Sequence, residues 1–439
     1  MPTQYTYDAV GNILTEQNGN RIATYEYDAM GNMTARVNPD GSKISYAYDA
    51  AGNMVSQTDA LGNVTQVSYD AMDWAEKIAY ADGSSYENKY DLGGNVIQKT
   101  DAENAKTTFE YDAAGNVTKT TDALGNTVSY EYDALGSLTK VTDALSHATG
   151  YEYDSQGNLL SETDALGNVK KYEYTPEGWL TKITNPDGTV TTYTYDDLGQ
   201  MTGEDYNGEK QVRHTYNELG LVTEMTGPEG TSKYQYDDKS QLISVTGASG
   251  DVVGYSYDDY GRKTEITYPD GRKVSYRYDD MDRLVEVRGL DGGKTTYEYD
   301  ANGNRIKTKA GGIQTEYGYD AMNRVVSQRA SGETNISFAY EYDKNGYITG
   351  ETRTEGETVY TRDYGYDPLG QLTSFKENDY SEKYTYDAAG NMTQKVANGV
   401  KSEDVYKRQF RYCKRNYGAA PEGDGRNAGR NVNRIFVFY

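Results

Sequence analysis

Few side chains in this 439-residue sequence are of the kinds that do acid–base or nucleophilic chemistry at neutral pH. His147 and His214 are the only histidines, and thus the only side chains whose ordinary titration lies near neutrality. Cys413 is the lone thiol, which excludes a disulfide framework and leaves no Cys-x-x-Cys pair for zinc. Acids are abundant, at 68 Asp plus Glu, and invite two readings: calcium ligands, or the paired carboxylates of a glycosidase. Asp300-Ala301-Asn302-Gly303-Asn304 opens like a calcium loop, with oxygen ligands at alternate positions, but no bidentate Glu follows at the twelfth. Trp74 and Trp179, the only tryptophans, are candidate partner-contact aromatics that could stack on a sugar or a protein surface. No Gly-rich phosphate loop or nucleophile elbow is present.

The scaffold behind these residues decides between the readings. Lys plus Arg number 44, so the net charge is −24 and the pI about 4.6. That sign disfavours nucleic acid and anionic membrane surfaces as partners. No run of about 18 apolar residues exists, so no helix inserts into a membrane. Leu, Ile, Val and Phe together supply only 65 residues, a fraction typical of disordered chains. Tyrosine changes that conclusion: there are 46, at regular intervals.

Nineteen copies of a Tyr-x-Tyr-Asp-x-x-Gly-Asn-like unit run from Tyr7 to Tyr386, counted by the second tyrosine, hereafter the marker. Twelve of the 18 spacings are 21 residues and four are 20. A strict period of this size is the signature of a repeat architecture. Tyr27, Asp28 and Gly31 mark one copy; Tyr48, Asp49 and Gly52, Tyr132, Asp133 and Gly136, and Tyr299, Asp300 and Gly303 mark three others.

Each unit reads as a β-hairpin plus a return. Asp49-Ala50-Ala51-Gly52-Asn53 fits a type I turn closed by a left-handed Gly, with the Asp side chain bonding backbone N–H groups ahead of it. The marker+4 Gly is replaced only at Asp73, Ser240, Asp282 and Asn323, and Asp and Asn are the residues that best tolerate positive φ after Gly. A second loop of the same frame, such as Asp59-Ala60-Leu61-Gly62-Asn63 or Asn38-Pro39-Asp40-Gly41-Ser42, completes the unit. Two strands and two three-residue loops account for the 21-residue period. With Asp49 opposite Asn53, Tyr48 faces Met54, and the marker+6 position is apolar in all copies but Lys263 and Arg305.

The expected fold is therefore all-β: a long antiparallel hairpin meander of about 38 strands. Laid flat it would be roughly 180 Å wide, and open twisted sheets seldom exceed about ten strands, so it must wind into a spiral shell or a solenoid. Its terminal repeats are expected to present exposed edges. His214 sits in the first-tyrosine slot of its copy and His147 in a turn slot, so both read as variant repeat residues. No catalytic, cofactor or metal residue is assigned, and the chain reads as no enzyme.

Tyr25-Glu26-Tyr27-Asp28-Ala29-Met30-Gly31-Asn32 and Tyr276-Arg277-Tyr278-Asp279-Asp280-Met281-Asp282-Arg283 resemble the YD repeats of the RHS family, over residues 1 to about 404. Members include bacterial polymorphic toxins, wall-associated proteins, insecticidal toxin complexes and teneurins. The resemblance implies a hollow β-shell segment of a secreted or cell-surface bacterial toxin-type protein, located outside the cell. Its implied partner is a C-terminal effector that lies outside this chain; the alternative is a surface adhesin that binds glycans or proteins. The toxin-bearing members follow their repeats with a core segment ending in an Asp-Pro-rich self-cleavage motif. Asp367-Pro368-Leu369-Gly370 is instead an ordinary repeat turn, so no protease aspartate is carried over.

The N-terminus begins inside a repeat and suggests a fragment, with no signal peptide. From Val405 the pattern stops. Residues 405–439 carry a net +6 against −30 for the 404 before them, and read as a basic tail with no assigned fold.

Overall fold

The computed structural model describes residues 3–332 and 335–402. The 405–439 tail and Cys413 lie outside them. The described residues form thirty-nine strands and no helix. Every strand pairs antiparallel with the next in sequence, from Thr3–Tyr7 to Val400–Ser402, giving one continuous meander.

Turn chemistry sets this pattern. In the copy around Tyr48, Asp49 N–H bonds Asn53 C=O at 2.9 Å and Gly52 N–H bonds Asp49 C=O at 3.2 Å. Gly52 has φ of +92°, and the four substitutes Asp73, Ser240, Asp282 and Asn323 all lie between +59° and +62°. Side chains other than Gly pay for that region, and Asp and Asn do so least. Tyr48 pairs with Met54 as expected, but Ala47 pairs with Ser56. Val55 is thus a one-residue bulge, and the shift recurs beside the marker tyrosines. A bulge bends its strand and increases local twist, so each hairpin contributes curvature to the ribbon.

Beyond the first copy, whose Tyr5 and Tyr7 are exposed, the tyrosines of the motif are half-buried, while the position between them, such as Ala47 or Glu131, is exposed. Among the described residues no second sheet packs on either face: extensive contacts between strands join only consecutive ones. Ala23, Ala35 and Ala102 are the only buried apolar residues among those described. The molecule is a wall one sheet thick, not a sandwich around a core.

The wall winds. Hydrogen bonds join residues 240 to 244 positions apart, with their first partners spread from Asn20 to Glu103. One circuit therefore takes about 11 to 12 repeats, or about 23 strands. At ~4.8 Å per strand the circumference is ~110 Å and the mid-wall diameter ~35 Å.

Candidate functional site

Asp28 Oδ1 accepts from the N–H groups of Met30 and Asn32 at 2.9 Å each, and Oδ2 from Asn32 Nδ2 at 3.0 Å. Asp49 and Asp300 repeat this set, and Asp133 accepts from the N–H groups of Leu135 and Ser137. The Asn32 amide holds the Asp28 carboxyl below its ordinary range, and the Ser137 N–H does so for Asp133. These oxygens are filled by their own turn, and among the described residues no cluster of three His, Cys, Asp or Glu could hold a metal.

The marker tyrosines tie one hairpin to the next. Tyr48 Oη donates to Met33 C=O at 2.9 Å, and Tyr132 and Tyr299 donate to Val117 and Leu284 C=O at 2.9 and 2.7 Å. Seventeen markers make this bond to the marker+6 carbonyl of the preceding copy. The cause is local. The strand Met33–Val37 pairs with Lys43–Tyr48 only from Ala35 to Val37, so Met33, paired with Tyr27 on its other side, has no ladder partner on this one. The hydroxyl supplies one. Burial pushes the Tyr48 and Tyr132 hydroxyls further up from an ordinary value at which a phenol is already a protonated donor at neutral pH.

Trp74 and Trp179 are half-buried on the following repeat. Trp179 lies 5.6 Å from the Tyr195 ring, and a Cβ on Gly199 would meet its Cζ2 at 2.7 Å. Trp74 lies 5.4 Å from Tyr90, against Gly94. His214 faces Met225 across the ladder, with no carboxylate on its buried Nδ1. His147 is exposed, its Nδ1 3.1 Å from Asp143 of its own turn.

The feature invisible from the repeat is the seam between turns of the spiral. Each repeat has two loops, one on each edge of the ribbon: the Tyr-Asp rim after the marker, and the return rim. Where the chain comes round again, the Tyr-Asp rim of the second circuit meets the return rim of the first. Arg283 Nη2 reaches Asp40 at 3.1 Å, Arg324 Nη2 reaches Asp82 at 3.0 Å, and Asn302 Nδ2 reaches Asp59 at 2.6 Å. Asn345 bonds both the Asp101 carboxylate, at 2.7 Å, and the Ala102 N–H, at 3.0 Å, while Lys344 N–H donates to Glu103 at 2.9 Å. At the start of the seam Arg21 pairs with Asp282 at 2.8 Å and stacks 3.8 Å over Tyr260.

Burial raises the Asp40 and Asp82 carboxyls, but hydrogen bonds from Ser42 and Ser84 and the arginine charges outweigh it and hold both below the usual range. Asp59 is held down likewise, by Asn63 and Asn302.

A signal for the seam was present in the sequence. Arginine occupies the marker+5 slot only at Arg262, Arg283 and Arg324, where other repeats carry mainly Asn, Gln or Trp. Arg283 and Arg324 bond the return rim directly, and Arg262 joins Asp282, the partner of Arg21. Openings of about 280 and 590 Å³ lie along the same line, the second between Lys106 and Tyr364. The arrangement is built to hold a curved wall closed.

A family model described as the teneurin YD-shell matches residues 65–217 and 272–414, and one described as the RHS repeat matches residues 7–43 and 236–273. Similar solved structures include TcdB2-TccC3, at a TM-score of 0.62 and 15% identity over 90% of this chain and 29% of that one. TcdB2-TccC3 without its hypervariable C-terminal region is alike at 0.63 and 15%, over 90% of this chain and 30% of that one. A Photorhabdus luminescens Tc holotoxin pore gives 0.58 and 14%, over 91% and 30%. The chain thus spans about 30% of these proteins' length, and the likeness is one of fold. Among curated proteins none matches.

Proposed function

The chain belongs to the teneurin YD-shell family, and from that premise we propose that it is a non-catalytic segment of a shell that encloses a C-terminal effector carried by a longer, secreted or surface-displayed toxin-type protein. The observation that carries this reading is the seam: a ribbon that returns to bond its own edge encloses space, whereas a straight solenoid does not. With side chains lining both faces of a wall ~10 Å thick, the ~35 Å circuit leaves a passage of ~25 Å. That is wide enough for an extended chain or a small folded segment. The mechanism is exclusion, in which hydrogen-bonded strands keep solvent and partners from the contents.

In this reading the tyrosine face lines the interior. Its support is the half-burial of that face although no element covers it, as crowding on a concave surface produces. Tyr27, Asp28, Gly31 and their equivalents are wall-building residues, and Trp74 and Trp179 stiffen the rim on which they stack.

The test appends the same protease-sensitive reporter peptide to either end of the chain and pairs cleavage kinetics with negative-stain images. A hollow particle and at least tenfold slower cleavage of the C-terminal reporter are expected. A thin rod, or equal cleavage at both ends, would sink the proposal.

A further inference from the structure

We propose that the opening in the wall beside Tyr347 is a binding site for a guanidinium ligand, held over the Tyr347 ring by Asp343 and Glu103.

The molecule's own arginines define the recognition. Nε of Arg262, Arg283 and Arg324 donates to Oδ2 of the aspartate that opens its own turn, Asp258, Asp279 or Asp320, at 2.7 Å each. Nη1 donates to the carbonyl of the aspartate one repeat on, at 2.7, 3.3 and 3.3 Å. The guanidinium carbon lies 4.9, 5.3 and 4.9 Å from the next marker ring, Tyr278, Tyr299 or Tyr342. At the seam, Nη2 of Arg283 and Arg324 also meets the third residue of a return loop, Asp40 and Asp82. A planar fork held by two carboxylates and stacked on a ring is the geometry that suits guanidinium.

The next acid of that series is Glu103, the third residue of Asp101-Ala102-Glu103-Asn104, and it meets no arginine. Lys344 N–H donates to Glu103 Oε1 at 2.9 Å, and Asn345 bonds Asp101 at 2.7 Å, so the second circuit is in place there. Marker+5 of that repeat, however, is Tyr347. Its ring stacks 5.0 Å from Tyr366, as the arginines stack over Tyr299 and Tyr342. A phenol carries one donor and cannot serve two carboxylates as the fork does. Asp343 Oδ1 accepts from Tyr347 N–H at 2.8 Å, but among the described residues no donor meets Asp343 Oδ2 or Glu103 Oε2.

The wall opens at the same place. The opening of about 590 Å³ is lined by Glu103, Asp343, Tyr347, Tyr366 and Asp367, among others. It lies within the seam: the Asn345–Asp101 bond bounds it on one side, and two repeats on the Asp143 charge acts on Asp387. Tyr366 covers one face of the Tyr347 ring, yet Tyr347 remains 40% exposed. An aromatic platform with a few convergent polar groups, in a volume of this size, suits a small ligand. The charge around it suits a cation. Asp101, Glu103, Asp343 and Asp367 border the opening, and the two nearby lysines leave them unpaired. Lys106 acts on Glu87, and the exposed Lys344 side chain pairs with no carboxylate among the described residues. A ligand guanidinium on the open Tyr347 face would donate to Asp343 Oδ2 and Glu103 Oε2, as Arg324 does to Asp320 and Asp82.

Titration calorimetry of the full chain with agmatine, an alkylguanidinium, in about 0.1 M salt at neutral pH tests this. One site with a Kd of about 0.1–1 mM is expected for so small a ligand. Putrescine has the same alkyl chain and the same charge but an ammonium in place of the fork, and should bind at least tenfold more weakly. Glu103→Gln and Asp343→Asn should each weaken agmatine at least tenfold. Asn217 opens a turn of the same frame, so Asp343→Asn keeps the local fold. Asp196→Asn, on a turn away from the opening, should leave binding unchanged. Tyr347→Arg supplies the fork from the chain itself, and should abolish agmatine binding while raising the melting temperature. N-acetyl-arginine amide separates the sources of the group: tighter binding than agmatine points to an arginine side chain of a peptide, weaker binding to a free alkylguanidinium. No heat up to about 10 mM agmatine, equal affinity for agmatine and putrescine, or binding that survives Tyr347→Arg would each overturn the proposal. So would Glu103→Gln and Asp343→Asn variants that bind like the parent.

Discussion

Replacing Arg283 and Arg324 by Met and Asn302 by Ala removes three of the contacts that join the circuits, while every strand ladder stays in place. The two ion pairs are part-buried, with side chains 20 and 23% exposed in one and 23 and 18% in the other. Their worth lies between the ~0.2–1 kcal/mol of an exposed pair and the ~3–5 kcal/mol lost on breaking a buried one, so about 1–1.5 kcal/mol each. The Asn302–Asp59 bond, to a charged acceptor, adds about 1 kcal/mol. Seam opening is then favoured by about 3–4 kcal/mol, or 10²- to 10³-fold.

The readout is hydrogen exchange at two amides that the substitutions do not touch. Ala102 N–H is held by Asn345 and Lys344 N–H by Glu103, and both bonds exist only while the seam is shut. Their exchange is expected to quicken about 100-fold or more, with ladder amides such as those of Thr127–Tyr132 unchanged. Exchange at Ala102 and Lys344 within threefold of the parent would refute the claim that these side chains hold the circuits together. Equal acceleration at the ladder amides would refute the separation of seam from wall.

Acid is expected to act on the same seam. Asp40, Asp59 and Asp82 titrate below their ordinary value in the folded chain, so their contribution is complete above about pH 4 and is lost as pH falls through the folded values. Ala102 protection, corrected for intrinsic exchange, should be flat from about pH 7 to 5 and fall below about 4; full protection at about pH 3 would contradict this. Gly199→Ala forces a side chain into φ of +79° and onto Trp179, costing about 1–2 kcal/mol for the backbone and more for the clash. In a Trp179→Asn background the clash part should vanish, so strictly additive denaturation energies for the two substitutions would rule out the stacking described.

Much of this molecule was legible because its order is local and repeated. Asp and Asn at Asp73, Asp282 and Asn323 signalled a left-handed backbone, and φ at these positions is +60°, +61° and +59°. The pairing of Tyr48 with Met54 followed from the turn frame. The bulge at Val55 did not, because a 21-residue period fixes the sum of strand and loop residues and not which one is left unpaired. Nor did the role of the marker hydroxyl, which depends on where the ladder between copies stops.

The sequence by itself determined the hairpin, its turns, the meander and the need to wind, since each rests on interactions within about 20 residues or on the limit to flat sheets. Only the tertiary structure decided that the ribbon returns after about 243 residues. Pitch is the accumulated result of small twists and bends over some 23 strand pairs, and no single residue encodes it. It is pitch that sets Arg283 beside Asp40 and Arg324 beside Asp82.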